Sequence, residues 1–239
     1  MTVLVAGASG ATGRLLVDQL LNLGHYVRVI VRSPDALPES MVRHDRISVI
    51  KASLLHLSDT ELAAHAEGCN AIASCLGHNP SLKGIYGHPR GLVTDAARRL
   101  YGAIKVHNPK DPVKFVLMNT AGNRDLNEPV SFAQKCILAL LRMLLPPHAD
   151  NEKAGLFFRT EIGKSDEKME WVVVRPDDLI DNHEVTGYEV RPAPIRSAIF
   201  NPGKTSRINV AHFMATLIID NQTWNRWKGQ MPVIYNKAN

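Results

Sequence analysis

Apolar residues recur along this chain in two alternating rhythms. Short runs at residues 3–6, 26–31, 47–51, 71–76, 113–118 and 171–174 are apolar and often β-branched, as in strands covered on both faces. Between them lie longer stretches in which apolar positions fall three or four apart, as in Leu15, Leu16, Leu20 and Leu23. These stretches predict helices over 12–23, from Ser58 or Asp59 to about 67, over 91–106, 131–145, 150–163 and 209–219. A last short strand is expected at 232–235. Strand and helix alternating in this way specify an α/β fold, a doubly wound parallel sheet with helices on both faces.

Punctuation supports the boundaries. Gly24 is placed to end the first helix, Pro34 stops the second strand, and Pro146-Pro147 is expected to separate two helical stretches. After Pro176 the alternation breaks. Residues 177–207 are rich in Pro and Gly and read as an extended excursion over the substrate side of a single domain spanning 1–239. The stretch 132–145 is apolar nearly all round, so it is expected to be covered by that excursion or by a second subunit; a homodimer is left open.

Composition narrows the class. At 239 residues, 45% hydrophobic and 21% charged, the chain has ordinary globular composition. Its net charge of +5 is spread in runs no longer than two, which argues against a nucleic-acid partner. No apolar stretch reaches the ~18 residues of a membrane span. Three cysteines without CxxC spacing suit reduced thiols, and the expected location is cytoplasmic. None of the ten histidines has a metal-binding spacing, so no metal is expected.

The most specific motif is Gly7-Ala8-Ser9-Gly10-Ala11-Thr12-Gly13-Arg14, placed between the first strand and the first helix. In that context the glycines serve a tight turn, a close backbone approach to a pyrophosphate, and close helix–strand packing. The N–H groups and positive dipole end of the helix would face the phosphates. Arg14-Leu15 after the last glycine excludes a phosphate loop of the Lys-Ser/Thr kind. The chain therefore reads as a Rossmann-type dinucleotide-binding domain.

The end of the second strand bears on which dinucleotide. An acid there would hold the 2′-hydroxyl of NAD. This chain has Arg32-Ser33, and Arg14 and Ser9 are expected nearby. That set suits a phosphate dianion, so NADP(H) is expected over NAD(H). The competing reading of Arg32 is a solvated strand-end charge. Ser53 stands after the third strand, where an Asp would contact adenine.

The glycine turn, Arg32, the strand 71–77, the segment Val116-Leu117-Met118-Asn119-Thr120-Ala121-Gly122, the ending Trp171-Val172-Val173-Val174-Arg175-Pro176 and the stretch 205–211 together resemble the atypical short-chain dehydrogenase/reductases. Within them the chain is most similar to the NmrA-like and flavin/biliverdin-reductase-like group. The resemblance covers about residues 1–220. It implies an NAD(P)-binding core with the reaction at the carboxyl ends of the strands, where Cys75, Leu76, Gly77, Arg175 and Pro176 join the cofactor set. The group includes both reductases and proteins that bind the cofactor without turning it over.

The short-chain dehydrogenase pattern also uses Tyr-x-x-x-Lys on the helix after the fifth strand. The literal match, Tyr101 to Lys105, precedes that strand and is expected at the wrong edge of the sheet. In the expected helix Lys153 matches the family lysine, but Ala149 stands where the tyrosine belongs. Thr120 replaces the family serine and retains a hydroxyl. His78, directly after Gly77, is either a loop histidine or a catalytic group beside the nicotinamide, and His148 could reach the same pocket. Thr120, Lys153 and His78 are thus the catalytic candidates. Two functional classes fit: an NAD(P)H-dependent reductase or isomerase acting on a small, largely apolar substrate, and a non-catalytic NADP(H)-sensing interaction protein of NmrA type. Thr120 and the substrate-side excursion favour the first; the missing tyrosine favours the second.

Overall fold

The computed structural model describes residues 1–79, 81–125, 128 and 132–237. Six parallel strands carry the fold: β1 (Thr2–Ala6), β2 (Tyr26–Val31), β3 (Ile47–Lys51), β4 (Ala71–Ser74), β5 (Val113–Met118) and β6 (Met169–Pro176). Short strands β7 (Asp178–Ile180) and β9 (Lys204–Ser206) pair with each other, while β8 (Tyr188–Arg191) and β10 (Val233–Asn236) extend the main sheet. Its order is β3-β2-β1-β4-β5-β6-β10-β8, with only β8 antiparallel. The order reverses between β1 and β4, which opens a crevice outside their carboxyl ends.

Side chains along β1 alternate between two cores. Val3 and Val5 face α1 (Ala11–Asn22) and the late helices α8 (Arg207–Ile219) and α9 (Asn221–Trp227). Leu4 and Ala6 face α3 (Asp59–Ala66), α5 (Leu92–His107) and α7 (Pro146–Leu156). This is the period-2 consequence of a strand covered on both sides. The start of α3 is fixed by a capping box, with Ser58 and Glu61 each satisfying the other's backbone N–H.

The structure departs from the sequence expectations in several places. Two helices do part at Pro146-Pro147, but the prolines are not a linker between them: they occupy the first positions of α7, where their missing N–H groups cost nothing. That helix runs on through a π-type segment, Phe157–Ile162, to Gly163. Two short helices that precede it, α2 (Glu39–Val42) and α4 (Leu82–Tyr86), were not foreseen, nor was α9. The excursion is partly regular, since β8 adds an edge strand to the sheet.

Helix α6 (Phe132–Leu144) packs on α7, and Leu138 is buried. Ser131, expected at its head, lies outside the described residues. Leu140, Met143 and Leu144 are 50%, 74% and 52% exposed, so the excursion does not cover this face. Among the described residues no helix is long and apolar enough to cross a membrane, and no cluster of His, Cys, Asp or Glu could hold a metal ion.

Candidate cofactor and active-site crevice

The glycine turn crosses directly over the end of β4. Gly7 has φ +81°, and a Cβ on it would lie 2.7 Å from the backbone carbonyl carbon and oxygen of Cys75. A Cβ on Gly13 would lie 2.1 Å from the Gly7 carbonyl oxygen. The turn is closed by the Gly10 N–H donating to that oxygen at 3.0 Å. Gly7 therefore serves a close contact with β4 as well as the turn. Ser9, Gly10 and Ala11 are exposed, whereas Thr12 is buried. Helix α1 begins without a side-chain cap and without an acid in its first turn. Its leading N–H groups and dipole are thus left for an external anion, so the residues fit the pyrophosphate of a dinucleotide.

Arg32 and Ser33 follow β2 and are exposed. Among the described residues Arg32 has neither an ion pair nor a hydrogen bond. Register places this strand end between β1 and β3, beside the glycine turn. Arg14 is also exposed and acts on Asp18 one turn along α1; burial raises the Asp18 carboxyl and Arg14 pulls it back. Ser53 is half-buried at the end of β3, with its carbonyl accepting the N–H of His56 at 2.8 Å.

Beyond β4 come Cys75, Leu76 and Gly77. The Cys75 N–H donates to Ala6 at 2.9 Å, and burial pushes its thiol up to about 12, which removes it as a thiolate nucleophile. His78 turns back toward the helices. Its Nε2 lies 2.8 Å from Oδ2 of Asp150 in α7. Asp150 also accepts from the Val93 N–H at 2.8 Å, the Thr94 N–H at 3.1 Å and the Thr94 hydroxyl at 2.6 Å. One buried carboxylate therefore joins the end of β4, the first turn of α5 and the start of α7. Nothing in the local sequence marks Asp150, because its partners are 56 to 72 residues away.

The end of β5 is tied to α7 as well. The side-chain amides of Asn119 and Asn123 both donate to the Asn151 carbonyl at 3.0 Å. Thr120 follows, half-buried, with its hydroxyl accepting the Gly122 N–H at 3.2 Å. A Cβ on Gly122 would touch both Thr120 Oγ1 (3.7 Å) and the His148 ring (3.8 Å), so the two side chains flank the same glycine. Lys153 is exposed without a partner among the described residues. It shares with Ala149 the outer face of α7, next to the face that carries Asp150.

Two expectations about arginine and tyrosine resolve differently. Arg175 does not reach the crevice with its side chain. Its fully buried guanidinium donates to Met231 O (2.6 Å), Asn123 O (2.8 Å) and both oxygens of Glu128 (3.0 and 2.6 Å). Nη1 and Nη2 clamp the loop after β5 while Nε holds the chain just before β10, and Pro176 adds to the clamp by accepting the Ala121 N–H at 2.8 Å. Tyr101 lies at the opposite edge, as its position in α5 requires. Its hydroxyl donates to Asp166, before β6, at 2.6 Å. Burial and that acid together push the phenol up to about 12.

Two cavities bear on where a ligand could sit. The larger, about 640 Å³, lies at the amino-terminal edge among Met1, Asn70, Asp111 and Ile219, away from the crevice. The smaller, about 480 Å³, lies between α6, α7 and residues 123–125.

Residues 7–221 match the NAD(P)H-binding family. The chain belongs to that family. The same fold occurs in a short-chain dehydrogenase/reductase of the wide type from Veillonella parvula DSM 2008, solved in complex with NADP (TM-score 0.71, 16% identity, covering 99% of this chain and 95% of that one). It also occurs in the oxidoreductase ylbE from Lactococcus lactis (0.71, 14%, 100% and 92%). A third example is ChuY, an anaerobillin reductase from Escherichia coli O157:H7 (0.70, 15%, 100% and 98%). No curated protein matches the sequence. The chain is thus an NAD(P)H-binding protein with the doubly wound fold of the short-chain dehydrogenase-like oxidoreductases.

Proposed function

We propose that this protein is an NADPH-dependent reductase of a small, largely apolar substrate, with NADP(H) preferred over NAD(H). The observation that carries the reading is the meeting, at one edge of the sheet, of an uncapped helix N-terminus and His78 held by a buried carboxylate. The turn from Gly7 to Gly13 would hold the pyrophosphate, and Arg32 with Arg14 the 2′-phosphate, for which guanidinium groups supply paired donors. Lys153 would hold the nicotinamide ribose. Bound there, the reduced dinucleotide supplies a hydride.

The remaining steps fall to the chain's own groups. The Thr120 hydroxyl polarises the acceptor oxygen or nitrogen of the substrate. His78, oriented by Asp150, delivers the proton that balances the hydride and recovers it from water. This assigns to His78 the role that the absent tyrosine plays elsewhere. NADPH oxidation followed against a panel of quinones, flavins and carbonyl compounds tests the reading. Turnover that is lost in His78→Asn supports it. One observation favours a second reading: Ala149 stands where the family tyrosine would be. NADPH binding with no turnover across the panel would make the protein an NADP(H) sensor instead.

A further inference from the structure

We infer that the cavity between α6 and α7 is a binding site for a small anionic molecule with an apolar body, its charge a carboxylate or a phosphate. Five cationic side chains line it: Arg124, Lys135, Arg142, Lys153 and Arg159. Only two carboxylates face them. Glu152 is paired with Arg142, Nη2 to Oε1 at 3.0 Å, and Asp125 with Arg159. Burial would raise the Glu152 carboxyl, but hydrogen bonds from His148 and Arg142 bring it down to about 2, so its charge is spent on those partners.

Three cations are left over. Lys135 and Lys153 have no partner among the described residues. Arg124 donates to the Glu128 backbone carbonyl, which neutralises nothing, and its Nε is buried without a partner. The carboxylate of Glu128 is engaged by Arg175 and does not compensate them. A group of cations without compensating carboxylates, gathered around one cavity, attracts an anion. Between these groups the wall is apolar, built from Leu138, Leu156 and Ala149. Charged groups around an apolar floor select an amphiphile over inorganic phosphate alone, and about 480 Å³ is within the range of small-molecule sites.

The site shares Lys153 with the proposed cofactor crevice, but its occupancy is read without NADP(H), so it stands or falls apart from the reductase reading. The probe is 1-anilinonaphthalene-8-sulfonate, titrated by fluorescence into the full chain, with uncharged N-phenyl-1-naphthylamine as its neutral counterpart. The expected result is one saturable sulfonate site per chain, weakened by salt and bound at least about tenfold more tightly than the neutral probe. Decanoate and decyl phosphate should displace it where decanol does not, and the better competitor identifies the headgroup. Lys135→Glu combined with Leu156→Glu, both on exposed positions, should weaken binding at least about tenfold. Lys110→Glu, at the opposite edge, should leave it unchanged. Equal binding of charged and neutral probes would overturn the inference. So would native affinity in the double variant, or the absence of saturable binding in a chain shown by circular dichroism to be folded.

Discussion

Asp150 and His78, 72 residues apart in sequence, lie 2.8 Å apart with side chains 1% and 5% exposed. The carboxylate sits at the N-terminus of α5, where backbone N–H groups and the helix dipole favour its charge. It therefore fixes which nitrogen of His78 faces inward and holds the ring at the end of β4. Asp150→Ala removes an acceptor from four donors at once and should cost roughly 2–4 kcal/mol in denaturant unfolding. His78→Asn should leave the NADPH dissociation constant unchanged while lowering kcat about 100-fold. Unchanged kcat would reduce the pair to a structural latch.

Tyr101→Phe separates the literal Tyr-x-x-x-Lys match from the reaction. The lost hydrogen bond to Asp166 should cost about 1 kcal/mol of stability. NADPH affinity and kcat should be those of the native protein, because Asp166 lies ahead of β6 at the amino-terminal edge. Loss of turnover in a folded, NADPH-binding Tyr101→Phe variant would place the active site at the wrong end of the sheet.

The main architecture was legible in the sequence because strong local signals bounded it. β2, β3 and β5 fall where the apolar runs predicted them, and the glycine turn lies between strand and helix as its spacing required. What was missed depends on distant partners. Asp150 looks like any helical acid until α5 and β4 are placed against it. Arg175, which ends an obvious strand, reads as a crevice residue, yet its guanidinium is drawn into the core by the Glu128 carboxylate and the Met231 and Asn123 carbonyls, which only the fold assembles. Pro146-Pro147 reads as a breaker, although prolines are equally suited to a helix's first turn. Helix α9 contributes Trp224 and Trp227 to the core from a short polar stretch without a periodic signal.

Glu152 gives a pH dependence with a defined sign. Its folded pKa, about 2, lies below the ordinary 4.5 because hydrogen bonds from His148 and Arg142 outweigh burial. Its stabilising contribution is therefore complete above about 4.5 and is lost as the pH falls toward 2. Glu152→Gln should destabilise the protein at pH 7 by about 1–2 kcal/mol, since solvent screens a half-buried group. The difference between variant and native protein in urea unfolding should shrink on acidification from pH 5 to pH 3. A constant difference would show that the carboxylate is not held by these partners.

Calorimetric titration of the native protein and of Arg32→Asp with NADP and with NAD tests most directly that this crevice is an NADP(H) site. The native chain should bind NADP with a micromolar or lower dissociation constant and NAD at least about tenfold more weakly, a difference of ~1.4 kcal/mol or more. Arg32→Asp should level or reverse that preference while leaving the fold intact. Equal affinities of the native protein for the two dinucleotides would contradict the account.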